Sequence, residues 1–191
     1  KCAKLMGLGY PGGQALEAAA KRGNAQAVEL PRPLKGTDHC HFSFSGLKTA
    51  LAIKFKQLGG TKAAPVFDLA AGLQAAITDC LVDRCQNAMS RFLTEFPTSN
   101  PNTAPVLVVA GGVAANKFIF SQIVETAKKN GFRLSVPPAN LCTDNAAMIA
   151  WAAIERNQKN PDDCDGFDFA PRPRWPLDVN ASPPPGRGVR T

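Results

Sequence analysis

The sequence lacks the features of membrane and exported proteins. Its 191 residues contain no apolar run of the ~18 residues that a membrane-spanning helix needs. The first residues, Lys1 to Leu5, lack the apolar core of a signal peptide, and no initiator Met precedes them. We therefore expect a soluble protein of the cytoplasm without membrane contact, with an organellar location left open. Because the chain begins abruptly, we also expect a fragment of a longer protein.

Metal and redox motifs are also scarce. None of the six cysteines forms Cys-x-x-Cys, and Cys80 and Cys85 would lie about 140° apart on a helix, which is poor geometry for shared ligation. We expect reduced thiols, because a chain of this size needs no disulfide framework. The two histidines, His39 and His41, flank a cysteine and could form a metal pair on a strand. A structural role is favoured, because no further ligand lies nearby in the sequence.

Two hydrolase classes lack their chemistry in this sequence. There is no His-Glu-x-x-His motif, so a zincin-type protease is unsupported. Ser45 opens a Ser-Gly turn before a basic helix start and could help to bind an anion. Without an identifiable His and Asp partner, however, it gives no case for a serine hydrolase.

Positive charge is concentrated at the two ends of the chain. The net charge is +7; residues 1–62 carry ten Lys and Arg against three acids, whereas residues 63–170 carry eight against eleven. The tail from Pro171 carries four Arg against one Asp. A basic first third could bind an anionic partner such as RNA, since cations that neutralise phosphates displace condensed counterions. On charge alone, a solvated basic face is the more common explanation.

Hydrophobic periodicity predicts several helices in the first half of the chain. Helices are predicted over residues 14–22 and 47–58, and a short alternating strand over 41–44. The longest helix is predicted over about 67–96, since its apolar residues recur at intervals of three and four. Its predicted core stripe consists of Leu69, Leu73, Ile77, Cys80, Leu81, Ala88 and Phe92.

The second half predicts a right-handed βαβα core on a parallel sheet. Residues 105–110 form a Val-rich apolar run that is typical of a buried parallel strand, and a second strand is predicted over 133–136. The helix between them, over about 115–130, would turn its apolar side chains toward a core. A final helix would run from the capping residues 143–145 to about Arg156. The side chains predicted to face the core from the first of these helices are Phe118, Ile119, Ile123 and Ala127.

Candidate ligand-binding residues lie at both strand-to-helix junctions. At the first junction, Gly111 and Gly112 allow the backbone to approach a ligand, and Asn116 stands at a helix start whose N–H groups attract anions. A phosphate or carboxylate cradle and a tight turn that needs glycine are equally supported there. At the second junction, Asp144 could ligate a metal at the carboxyl edge of the sheet. Capping the helix is the more common role of a lone Asp.

Five stretches of the chain, in order, resemble the TsaD family of tRNA adenosine threonylcarbamoyltransferases. The family was formerly described as O-sialoglycoprotein endopeptidases, or glycoproteases. Each stretch alone is weak, but five in family order, spread over nearly the whole chain, are highly specific. The stretches are KLMGLGYPGG (4–13), FSFSGLKT (42–49), GGVAAN (111–116), LCTDNAAMIA (141–150) and RWPL (174–177).

The resemblance implies a fold and a site. The implied fold is that of the actin, Hsp70 and sugar-kinase ATPases, in which two RNase H-like lobes enclose a nucleotide cleft. Residues 1–170 would form most of the second lobe, and residues 171–191 an irregular tail. Gly13 and Asn116 match family positions that contact the nucleotide part of the substrate, together with the Gly111 and Gly112 turn. Asp144 matches the metal-ligating aspartate.

The resemblance also implies a reaction. A threonylcarbamoyl group would pass from threonylcarbamoyl-AMP to the N6 amine of the adenosine beside the tRNA anticodon. The implied cofactor is one divalent metal, iron or zinc, with threonylcarbamoyl-AMP or ATP as the nucleotide ligand. The implied partners are tRNA, a paralogous partner protein and a small ATPase. The basic first third would be the surface that faces tRNA, and no catalytic residue is assigned.

The chain departs from the family pattern at several places. The His-x-x-x-His metal pair and the phosphate loop of the first lobe are missing, as is the Asp expected before Lys1. Ala146 stands where Gly is expected. Since Asp144 alone cannot hold a metal, our hypothesis is that the full protein is the transferase and that this chain alone is inactive. The rival functions are a nucleotide-binding kinase of the same superfamily and a non-catalytic binding or dimerisation lobe.

Overall fold

The computed structural model describes residues 1–97, 103–112, 115–138, 141–142, 145–162 and 165–170, with Asp178 and Asn180. The chain is α/β, with a small parallel sheet, and divides into two compact units, Lys1–Thr143 and Asp144–Thr191. The elements of the first unit are α1 (Cys2–Leu5), α2 (Gly12–Ala20), α3 (Ser45–Gln57), α4 (Gly60–Ala63), α5 (Val66–Glu95), β1 (Val106–Val108), α6 (Lys117–Lys129) and β2 (Arg133–Ser135).

The long helix α5 organises the first unit. Its bounds confirm the predicted helix, and α2 and α3 pack against it around a core that includes Leu51, Leu69 and Leu73. The predicted core stripe of α5 is only partly right near the C-terminal end of the helix, where two of its residues are not buried. Ala88 is exposed, and Phe92 is 40% exposed, although its ring meets that of Phe132 edge-on with the centroids 5.9 Å apart.

The parallel βαβ unit is confirmed, but its first strand is not buried on both faces. β1 and β2 pair in parallel, with Leu107 opposite Leu134. These two leucines pack against the cluster of Met89 and its neighbours, whereas Val108 is 65% exposed. The prediction of a fully buried strand is therefore wrong. The reason is that α5 and α6 cover one face of this two-stranded sheet and leave the alternate side chains outside.

The helix α6 follows its prediction except at one residue. Ile119, Ile123 and Ala127 are buried as predicted, but Phe118 is 44% exposed. Phe118 lies about 100° around the helix from Ile119 and so points away from the buried stripe. Gly131, with φ of +75°, ends the helix as predicted.

The strand predicted over residues 41–44 does not form. The segment is irregular, and within the described residues no strand lies beside it. Its alternation reflects a local contact, since the rings of Phe42 and Phe44 stack with their centroids 6.2 Å apart. Helix α3 begins directly afterwards at Ser45, two residues before its predicted start.

The second unit contains helix α7 (Ala146–Lys159). Asn145 caps it, because its Oδ1 accepts from the backbone N–H of Met148 at 3.1 Å. This cap confirms the predicted helix start, and the helix continues to Lys159, past its predicted end. No residue of α7 is buried. The predicted boundary at residue 170 stays a prediction, since most of the following tail lies outside the described residues.

The described residues also show whether any helix could cross a membrane and whether the cysteines are paired. No helix there combines the length and the apolar character needed to cross a bilayer. The five described cysteines are free thiols, as expected: Cys2, Cys40, Cys80, Cys85 and Cys142.

Candidate functional site

The turn after β1 has the backbone geometry that its glycines predict. Gly111 has φ of +81°, in the left-handed region that side chains rarely adopt. A Cβ built on either Gly111 or Gly112 would meet no heavy atom within 4 Å, so the space beside both residues is open. The turn therefore offers room for a ligand to approach its backbone. Val113 and Ala114 of the same motif lie outside the described residues.

Asn116 is held by contacts on both of its side-chain atoms. Its Oδ1 accepts from the N–H of Ile119 at 3.0 Å and so caps α6, and its Nδ2 donates to Oε1 of Gln74 at 2.9 Å. Gln74 is buried in α5. Asn116 is therefore fixed in place by two helices, and among the described residues nothing contacts its second N–H or the second lone pair of its Oδ1.

Glu17 connects the start of α6 to α2. Its Oε1 accepts from the backbone N–H of Lys117 at 3.3 Å and lies 3.6 Å from Nζ of Lys21. Its side chain is only 12% exposed. Two of the N–H groups at the start of α6 thus already have protein acceptors. The helix start expected from the sequence to attract anions is already occupied by a carboxylate.

Gly13 lies at the second position of α2, in the wall of an open cavity of about 590 Å³. Gly12 packs closely against α1, since a Cβ there would lie 3.0 Å from the Cβ of Ala3, which would have to shift. A Cβ on Gly13 would meet nothing within 4 Å. The cavity walls are mainly apolar, with Lys1 and Lys48 among them; the other described lining residues are Cys2, Leu16, Phe44, Leu47, Leu73, Ile77 and Leu81.

The described residues do not fit a metal centre. They contain no group of three His, Cys, Asp or Glu side chains placed to hold an ion. The imidazole of His39 is also engaged, since its Nδ1 lies 3.2 Å from Nη1 of Arg84. Asp144, the predicted metal ligand, lies outside the described residues, as does Thr143.

Comparison with known proteins identifies the family. The model of the TsaD family, tRNA N6-adenosine threonylcarbamoyltransferase, matches residues 1–151. The chain belongs to this family. The tRNA N6-adenosine threonylcarbamoyltransferases of Brucella suis and Brucella ovis are each 48% identical to it over 190 residues. The match covers 100% of this chain and 52% of each relative, so the chain spans about half the length of these relatives.

In this member of the TsaD family, sequence reasoning missed the residues that fix the site. Glu17 and Gln74 position Asn116 and the start of α6, yet neither stands in a recognised motif. A signal was present in both cases. Glu17 is a lone acid within an Ala-rich helix, and Gln74 interrupts the apolar residues of α5. Polar side chains at core positions require buried partners.

Sequence reasoning also missed a second polar cluster, which lies in the C-terminal half of α5. Arg84 is almost fully buried and donates to the carbonyl oxygens of Thr37 and His39 and to the Asp83 carboxylate. Asp83 in turn accepts from the N–H of Gly36 at 3.2 Å. These contacts fasten residues 36–39, which form no helix or strand, to α5.

Proposed function

We propose that the longer protein containing this chain transfers a threonylcarbamoyl group from threonylcarbamoyl-AMP to tRNA. The N6 amine of the adenosine beside the anticodon attacks the carbamoyl carbon. A new N–C bond forms, the C–O bond to the phosphate breaks, and AMP leaves while the amine loses a proton. The match to the TsaD family over residues 1–151 is the observation that supports this proposal.

The proposal places this chain in most of the second lobe of an actin-like ATPase fold. A small parallel sheet covered by α5 and α6 is compatible with such a lobe. Because the chain spans half of its relatives, we infer that it is inactive by itself. A paralogous protein and a small ATPase belong to the proposed cytoplasmic assembly.

Gly13, Gly111, Gly112 and Asn116 are proposed to contact the nucleotide. Open space beside the three glycines supports this assignment, and so does an Asn116 amide whose second N–H has no partner among the described residues. Glu17 limits how the nucleotide can be oriented, because a carboxylate at the start of α6 repels a phosphate and accepts hydrogen bonds from hydroxyls. The ribose is therefore proposed to lie toward α6, with the phosphate directed away from it.

The metal proposal rests on Asp144 alone within this chain. We propose that Asp144 ligates one divalent ion, iron or zinc, together with groups that this chain does not supply. The other ligands are proposed to come from the first lobe of the longer protein, and the described residues of this chain contain no three-ligand cluster.

The experiment compares the longer protein with this chain in a mixture of tRNA and threonylcarbamoyl-AMP, with nucleosides measured by mass spectrometry. Modified adenosine should form only with the longer protein. Asn116→Asp keeps an acceptor for the α6 cap but loses the amide donor. It should raise the apparent KM for threonylcarbamoyl-AMP and lower Tm moderately, because the bond to the buried Gln74 is lost. Asn145→Asp, in the α7 cap, is the matched control.

Two results would contradict the proposal. Phosphoryl transfer from ATP to a small acceptor, without modified adenosine, would favour the kinase alternative. A folded longer protein with no affinity for any adenine nucleotide would favour the non-catalytic lobe.

A further inference from the structure

Buried polar side chains are few in the described part of the chain, and two of them are only half used. The buried polar residues there are Glu17, Gln74, Thr78, Arg84 and Thr126. The hydroxyls of Thr78 and Thr126 donate to backbone oxygens one turn earlier in their own helices, and Arg84 belongs to the second polar cluster. Glu17 and Gln74 differ from these three, because each uses only one of its two polar side-chain atoms.

The unused atoms are Oε2 of Glu17 and Nε2 of Gln74. Oε1 of Glu17 accepts from the N–H of Lys117, and Oε1 of Gln74 accepts from Nδ2 of Asn116, but no described residue bonds the second atom of either side chain. No side-chain nitrogen or oxygen in the described ranges is both buried and without a partner. Both unused atoms therefore reach solvent, although Glu17 is only 9% exposed and Gln74 only 6%.

Glu17 and Gln74 open onto the same space, a cleft of about 490 Å³ between α2, α5 and the start of α6. We call it the α2–α5 cleft. Its other walls are four alanines, a glycine and the side chains of Lys21, Lys117 and Phe118. The ammonium of Lys21 lies 3.6 Å from Oε1 of Glu17, so that charge is already paired. The cleft thus presents one acceptor from α2 and one donor from α5 to whatever enters it.

We propose that Gln74 is a specificity-determining residue, whose Nε2 donates to a ribose hydroxyl while the same hydroxyl donates to Oε2 of Glu17. A hydroxyl matches this pair because it donates one hydrogen bond and accepts another. A phosphate would be repelled by the Glu17 carboxylate, and an ammonium would leave the Gln74 donor unused. This inference rests on the proposed function, which directs the ribose toward α6. The cleft therefore selects ribonucleotides over deoxyribonucleotides.

The test is calorimetric titration of the longer protein with AMP, 2′-deoxy-AMP and 3′-deoxy-AMP. AMP should bind about tenfold more tightly than one of the two deoxynucleotides, because the missing hydroxyl leaves two nearly buried polar groups without a partner. The comparison uses the wild-type protein, so it does not depend on the folding of a variant. Equal affinity for all three nucleotides would overturn the proposal.

Gln74→Glu separates the two roles of the Gln74 amide. The new carboxylate still accepts from Nδ2 of Asn116 but offers no N–H to a ligand. This variant should lose the preference for AMP over the deoxynucleotide. Thr78→Val is the matched control, because it removes a buried hydroxyl of α5 that bonds only to the backbone. It should lower Tm and keep the preference.

A structural or electrostatic effect of Gln74→Glu would weaken the binding of all three nucleotides by the same factor. An unchanged ratio of affinities in this variant would therefore overturn the proposal, whatever happens to its Tm. Loss of the preference in Thr78→Val as well would also overturn it, because that hydroxyl has no part in the pair.

Failure of the inference and failure of the proposed function are distinguishable. A longer protein that modifies tRNA but binds AMP and both deoxynucleotides equally would refute the role of Gln74 alone. A longer protein that prefers AMP through Gln74 but forms no modified adenosine would refute the transferase proposal alone.

Discussion

Arg84 and His39 are joined through one particular ring nitrogen. Nη1 of Arg84 lies 3.2 Å from Nδ1 of His39, and the backbone N–H of His41 lies 3.3 Å from the same atom. Both neighbours can only donate, so Nδ1 carries no proton, and the proton of the neutral ring is on Nε2. Nε2 lies 3.3 Å from Oγ1 of Thr37, which can accept it. His39 is thus a structural acceptor rather than half of a metal pair.

Replacement of Arg84 by Met should destabilise the protein strongly. The guanidinium is almost fully buried, and its removal leaves the Asp83 carboxylate without its cation. We expect a loss of about 3 kcal/mol in the free energy of unfolding, measured by urea denaturation. Arg91→Met, which removes an exposed pair with Glu95, should cost less than about 0.5 kcal/mol. Equal costs would show that residues 36–39 do not depend on the buried guanidinium.

Asp83 should make stability fall in acid. Burial raises the pKa of Asp83, but hydrogen bonds from Arg84 and Gly36 and the Arg84 charge outweigh it, leaving the pKa below its ordinary value of 3.8. A lowered folded pKa means that the unfolded chain binds the proton first. The stabilisation is therefore complete above pH 3.8 and is lost as pH falls through the folded value. Asp83→Asn should flatten this acid limb in urea titrations, and an unchanged acid limb in that variant would contradict the prediction.

Two glycines should respond to alanine in opposite directions. A Cβ on Gly72, within α5, would lie 2.7 Å from the backbone oxygen of Val28, so the adjoining segment must move. Gly72→Ala should cost about 1–3 kcal/mol. A Cβ on Gly46, within α3, would meet nothing within 4 Å. Gly46→Ala should raise the free energy of unfolding by about 0.5 kcal/mol, because alanine favours helix. A neutral result at Gly72 would contradict the close approach.

The described thiols should react with alkylating reagents at different rates. Burial raises the pKa of Cys80, and the nearby Asp79 raises it further; burial also raises the pKa of Cys85. Thiolate is the reactive form, so both residues should resist iodoacetamide near neutral pH. Cys2 and Cys40 should be labelled first, as measured by peptide mass spectrometry, with complete labelling in urea. Labelling of Cys80 as fast as Cys40 in the native protein would contradict this order.

The local sequence pattern predicted helices and strands well where the apolar residues that recur along the chain are also the buried ones. The thirty-residue helix α5 was located within a residue at each end, and the parallel pairing of β1 with β2 followed from a Val-rich run, a glycine turn and a helix. Exposure was harder to predict, because the burial of Val108 depends on what covers the outer face of the sheet. The alternation at residues 41–44 failed because a strand needs a partner, which local sequence does not specify.

The candidate site was only partly predictable for a similar reason. The glycines and Asn116 stand in a recognisable motif, so their placement beside an open turn was expected. The carboxylate of Glu17 and the amide of Gln74 act through contacts between helices that are far apart in sequence. Such contacts depend on how α2, α5 and α6 pack, and no periodicity within a single helix reveals them.

The hydrogen bond from Lys117 to Glu17 also affects folding kinetics, since it joins residues 100 positions apart in the chain. Closing so long a loop costs entropy before the contact can stabilise anything, so the bond should form after the transition state. Glu17→Ala should then accelerate unfolding in stopped-flow experiments and leave the refolding rate nearly unchanged. The contact that fixes the start of α6 should thus act mainly on how long the native state persists.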